Sequence, residues 1–104
     1  MLHIQETWVD QKRNCICGET PVYETSYEKV GELYRALVKQ YGRCIGKMYC
    51  DNKVTGKTRA IGWIFLKRAK YEDCKDTYLQ ETWVSVHEKK EDTYVTYHYV
   101  DIAA

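Results

Sequence analysis

A chain of 104 residues, 44% hydrophobic and 30% charged, suits one domain (1–104) with a single modest core and excludes a disordered chain. No apolar run is long enough to span a membrane. The opening MLHIQETWVDQKR lacks the basic-then-apolar order of a secretory signal, so a cytoplasmic location is expected. The net charge of +1 conceals an asymmetry: Arg43 to Lys70 holds eight bases and one acid, whereas Tyr71 to Asp92 holds seven acids and three bases. Local fields of this kind steer partners more than total charge does.

Residues 2–12 alternate, with Ile4, Glu6 and Trp8 against Gln5, Thr7 and Val9, which is a strand pattern. Asn14 to Gly18 and then Pro21 break it. Thr25-Ser26-Tyr27-Glu28 reads as a capping box for a helix over 26–41. That helix places Val30, Leu33, Tyr34, Leu37, Val38 and Tyr41 on one stripe, and Gly42 sits at its C-cap. A strand over 43–50 follows, with Cys44, Gly46, Met48 and Cys50 opposite Ile45, Lys47 and Tyr49, then turn residues 51–56 and a second strand over 58–68. The second arm is apolar on both faces, Ile61, Trp63 and Phe65 against Ala60, Ile64 and Leu66, so it belongs in the middle of a sheet. A charged connection from Lys70 to Asp76 leads to a strand over 77–87. A charged turn, Glu88 to Asp92, leads to a last strand rich in β-branched and aromatic residues, 94–100. The order β-α-β-β-β-β predicts an α+β domain: one helix packed on a mostly antiparallel, twisted sheet of four to five strands. Ile4-Gln5-Glu6-Thr7-Trp8-Val9 returns as Leu79-Gln80-Glu81-Thr82-Trp83-Val84 with different flanks, which suggests two strands with similar neighbours rather than a duplicated domain.

The chemistry-bearing residues are sparse. Five cysteines (Cys15, Cys17, Cys44, Cys50 and Cys74) in a chain without a secretory signal argue for reduced thiols over a disulfide framework. Cys15-Ile16-Cys17-Gly18 resembles half of a zinc knuckle, but Cys44 and Cys50 stand too far apart along one strand to complete it together. Small buried thiols are the competing reading, and the one preferred. His3, His87 and His98 fall on three strands and do not form a catalytic set by themselves. Glu6 and Glu81 occupy equivalent places beside a Trp; on a buried face each needs a partner, so either a Lys or Arg from a neighbouring strand or a half-exposed place at the rim is expected. Glu88-Lys89-Lys90 matches the E-x-K fragment of metal-dependent nucleases, with Asp73 or Asp76 as the upstream acid, a pattern that arises easily by chance among 31 charged residues. The basic hairpin interleaves Arg43, Lys47, Lys53, Lys57, Arg59, Lys67 and Arg68 with aromatic residues, which would give phosphate contacts beside stacking platforms.

At Gly62-Trp63-Ile64-Phe65-x-Lys67-Arg68, Tyr71-Glu72-Asp73 and Thr77-Tyr78-Leu79-Gln80-Glu81-Thr82-Trp83-Val84 the chain resembles small uncharacterised proteins encoded by tailed phages of actinobacteria. The resemblance implies expression in a bacterial host cytoplasm and an accessory role, such as engaging a host protein or a defence component. It supplies no catalytic motif.

The sequence therefore points first to a small non-enzymatic binding protein without a cofactor. Its partner would be a host protein or a second copy, met through an aromatic sheet face that includes Trp8, Trp63, Phe65, Trp83, Tyr97 and Tyr99. The alternatives are a nucleic-acid-binding module using the basic hairpin and a domain stabilised by zinc at Cys15 and Cys17. One helix can cover only one face of the sheet, so the other is expected to be the interface.

Overall fold

Alternating and doubly apolar runs dictate strands, and the computed structural model assembles them into one sheet. It describes residues 1–51, 58–71, 75–87 and 97–101, with side chains at 1–49, 60–71 and 75–87. The elements are β1 (His3–Asp10), β2 (Cys15–Glu19), β3 (Tyr23–Glu24), α1 (Val30–Tyr41), β4 (Arg43–Asp51), β5 (Thr58–Lys70), β6 (Thr77–His87) and β7 (Tyr97–Asp101). Strand order is β2-β1-β6-β5-β4-β7, every pairing is antiparallel, and β3 adds two residues beside β1. The expected α+β architecture, one helix on an antiparallel sheet, is the one observed.

The sheet is larger than four to five strands because the segment after β1 turns back on it. Asp10 Oδ1 accepts the N–H groups of Lys12 and Arg13 at 3.1 and 3.2 Å, and Asn14 takes a positive φ of 52°. This Asx-type turn sends Cys15–Glu19 along β1 as an edge strand. Gly18 lies beneath the Trp8 ring, where an added Cβ would approach the indole to 3.1 Å, so the close approach favours glycine.

The capping box does not form. Thr25 is tied to β1 through Leu2, and its hydroxyl accepts from the Tyr27 N–H at 3.2 Å, an ST turn ahead of the helix. The helix starts at Val30, with Lys29 as an N-cap that makes no side-chain cap bond. Its other end is as expected: Gly42 adopts φ 97° and donates to the Val38 carbonyl, and a side chain there would collide with the Leu66 carbonyl.

Two clusters form on opposite faces of the sheet. Beneath the helix, Leu33, Leu37 and Tyr41 pack on Ile4, Phe65 and Val84, with Trp63 and Cys44 at the margin. On the other face Ile45, Met48, Ile61 and Ile64 gather beside Leu66 and Trp83. Strand alternation predicts Ile61 with Trp63 and Phe65, but a bulge between Met48↔Gly62 and Tyr49↔Ala60 moves it to the opposite cluster. A second bulge, between Cys44 and Gly46, does the same for Ile45 relative to the expected pattern.

Candidate functional site: the sheet face away from the helix

Residues directly opposite in a ladder share a face. The pairs Gln5↔Ser85, Thr7↔Trp83 and Val9↔Glu81 therefore lie away from the helix, as do Thr7↔Glu19 and Val9↔Ile16. The sheet curls over this face: Met48 of β4 and Ile16 of β2 line one groove although three strands separate them. The groove holds about 420 Å³ and is lined by Thr7, Val9, Ile16, Met48, Trp83 and Ser85 among others, a volume in the range of ligand-sized clefts. Trp83 is half-buried in it, with its indole N–H donating to Glu81 Oε1 at 2.8 Å. Ile16, at 67% exposure, stands at its rim.

Ser85 and His87 form a polar pair at one end of this face, with Ser85 Oγ and His87 Nε2 2.9 Å apart. No sequence context marks either residue, and only the i, i+2 spacing on a strand could have suggested the contact. The same contact begins a nucleophile–base pair. The two side chains are 3% and 2% exposed. His3 is the cross-strand partner of His87, so two of the three histidines do meet; the His98 side chain lies outside the described residues.

The interface residues expected from sequence divide between the faces. Trp83 is on the face away from the helix. Trp63 lies under the helix with its ring 5.5 Å from that of Tyr34, and Phe65 is 0% exposed in the helix-side core. Phe65 is therefore a core residue and not a contact residue: its register opposite Thr82 and Cys44 turns it toward α1. Trp8 also faces the helix side, half-buried, with its ring over Gly18. Tyr97 and Tyr99 sit in β7 opposite Cys50 and Met48, and their side chains fall outside the described residues.

Glu6 and Glu81 face opposite ways and share no pocket. Glu6 is 4% exposed beneath the helix. Its partners are not the expected cations but two tyrosine hydroxyls, Tyr23 and Tyr41, each donating at 2.6 Å. Burial, and then the bond to the Glu6 carboxylate, push both tyrosines above their ordinary range. Glu81 is half-buried on the groove side and accepts from Trp83 and Gln11.

The basic hairpin does not present one described patch. Lys47↔Trp63 and Lys67↔Gln80 lie on the helix face, Arg43↔Leu66 and Arg68↔Leu79 on the other. The Lys67 ammonium is occupied by the Gln40 carbonyl at 3.0 Å and lies over the Tyr41 ring. Lys53 and Lys57 lie outside the described residues, as does the Arg59 side chain. Cys15 and Cys17 are free thiols and exposed rather than buried, because the edge strand that carries them has a neighbour on one side only. Among the described residues no three His, Cys, Asp or Glu side chains gather to hold a metal, so the zinc half-site finds no second half there. Cys50 and Cys74, and the fragment Glu88-Lys89-Lys90 with Asp73, are outside the described side chains; Asp76 is exposed. No described helix is long and apolar enough to cross a membrane.

Compared with family models, with curated proteins and with solved structures, the chain matches none.

Proposed function

We propose that this chain is a small non-enzymatic binding protein that takes a protein partner on the face of its sheet away from the helix, with Trp83 as the anchor. The observation that carries the reading is the groove itself. An indole half-buried among Val9, Ile16 and Met48, with its one polar atom already satisfied by Glu81, offers a partner apolar contact at little desolvation cost. The burial of Ser85 and His87 supports binding over catalysis. The partner is a bacterial host protein, as the phage resemblance implies, or a second copy of the chain.

Sedimentation of the purified protein, with a pull-down from bacterial lysate before and after nuclease treatment, tests this reading. Trp83→Asp should abolish self-association or capture while leaving the fold intact. A monomer at high concentration whose captured set is unchanged by Trp83→Asp would refute it.

A further inference from the structure

Cysteine is among the residue types most often buried, yet Cys15 and Cys17 both stand exposed on β2, at the end of the strand order. Both are free thiols. We propose that they form a reversible dithiol–disulfide site, which is oxidised by a small-molecule disulfide and returns to two thiols under reductant. The proposal does not depend on the groove around Trp83, since it needs only the two sulfurs and the edge strand that carries them.

Three features carry it. First, the spacing brings the sulfurs within reach. Residues two apart on a strand lie about 6.6 Å apart at Cα, near the outer limit of the roughly 4.4–6.8 Å that a disulfide bridges. The strand is foreshortened here: Trp8 pairs with Gly18 and Val9 with Ile16, so Cys17 is the extra residue of a bulge. A bulge bends its strand, and this one draws Cys17 back toward Cys15. Second, the Cys17 thiol already leans that way, with Sγ 3.9 Å from the Cys15 carbonyl oxygen. Third, the pair is accessible: among the described residues no strand pairs with the outer side of β2. Cys44 supplies the contrast. It is half-buried at the margin of the helix-side core, with its thiol donating to the Gly46 carbonyl at 3.3 Å. That thiol fills space, whereas Cys15 and Cys17 pack in neither cluster.

The exchange runs in two steps. The thiolate of one cysteine attacks a sulfur of the incoming disulfide, whose S–S bond breaks; a mixed disulfide forms and one small thiolate leaves. The thiolate of the other cysteine then attacks the protein-side sulfur, which closes the bond between Cys15 and Cys17 and expels the second small thiolate. Two protein thiols are thus oxidised by two electrons, the small disulfide is reduced to two thiols, and the two thiol protons pass through solvent to the leaving groups. Only two sulfurs are needed, and among the described residues no third metal-ligating side chain gathers with them. An exposed disulfide is of the labile kind rather than the structural kind.

The test is incubation of the reduced full chain in graded ratios of oxidised to reduced glutathione, followed by acid quench, alkylation of the remaining thiols and peptide mapping by mass spectrometry. The peptide that holds Cys15 and Cys17 should lose two hydrogens in mass, escape alkylation at both positions and revert under excess dithiothreitol. Cys15→Ser and Cys17→Ser should each stall at the mixed disulfide with glutathione, which should persist on the order of tenfold longer than in the wild type for want of the second thiol. Cys50→Ser/Cys74→Ser should oxidise at Cys15 and Cys17 as the wild type does. Cys15 and Cys17 are exposed, and unfolding midpoints confirm that each variant folds. Any of five results would overturn the proposal: thiols that stay reduced at the highest ratio, glutathione capping the two cysteines separately, a bond from either to Cys50 or Cys74, a bond between copies in place of the internal one, or stoichiometric zinc that shields both thiols from oxidation.

Discussion

The tetrapeptide Glu-Thr-Trp-Val occurs in β1 and again in β6, and the two copies pair with each other. Glu6 lies opposite Val84, Thr7 opposite Trp83, Trp8 opposite Thr82 and Val9 opposite Glu81. The offset sends Glu6, Trp8, Thr82 and Val84 to the helix side, and Val9, Thr7, Trp83 and Glu81 to the groove. One Glu is 4% exposed and held by two tyrosines; its counterpart is half-buried and bonds to its own neighbour Trp83. One Trp lies over Gly18 on the helix side, and the other lines the groove. Identical local sequence thus meets two environments, set by what packs against each face: α1 on one side and the groove on the other.

The largest test of that division is Phe65. It is 0% exposed beneath α1, so Phe65→Ala should cost about 3–5 kcal/mol in denaturant unfolding. Trp83→Ala, half-buried in the groove, should cost clearly less. Equal losses would mean that the groove side is as structural as the helix side.

Next come the two glutamates. Tyr41→Phe removes a 2.6 Å hydrogen bond to a buried carboxylate and should cost about 1.5–3 kcal/mol, whereas Glu81→Gln should stay within about 0.5 kcal/mol. The tyrosine cluster also sets an alkaline limit. Tyr23 and Tyr41 have raised folded values, so their contribution is whole below the ordinary tyrosine range near pH 10. It is lost as pH climbs from there through the folded values, because the unfolded chain releases protons first. Unfolding midpoints measured between about pH 8 and 12 should fall in the wild type. They should fall less in a Tyr23→Phe/Tyr41→Phe variant.

Much of this was legible in the sequence, and the failures have physical causes. Burial on both faces put β5 in the sheet interior, and the 3.6-residue stripe gave Leu33, Leu37 and Tyr41 to the core. Strand β2 was hidden because Cys15–Glu19 shows no alternation, and its pairing depends on a turn built by Asp10 and Asn14. The faces of Ile45 and Ile61 were misread because a bulge inverts alternation without marking the sequence. The Glu6 partners come from 17 and 35 residues away, beyond any local pattern.

A smaller effect, of opposite sign, is expected at Thr82. Its hydroxyl is buried on the helix side with no hydrogen-bond partner among the described residues, in a residue that is 0% exposed. Thr82→Val exchanges an unsatisfied polar group for a methyl of similar shape and should stabilise by about 1 kcal/mol. Thr7→Val, its counterpart on the groove side, should change little, since that side chain is only half-buried.

The smallest effect on stability, and the sharpest on function, belongs to Ile16. At 67% exposure it already stands in water at the groove rim, and a lysine there removes almost no buried area, so Ile16→Lys should unfold within about 0.5 kcal/mol of the wild type. Edge strands commonly carry lysine as a guard against association, and β2 carries an isoleucine instead. An apolar rim residue kept at that position has a use if a partner covers it. Association measured by sedimentation or capture should then fall in Ile16→Lys while the unfolding curve stays in place. If association survives the lysine unchanged, the contact does not reach β2, and the groove binds through Trp83 and Met48 alone.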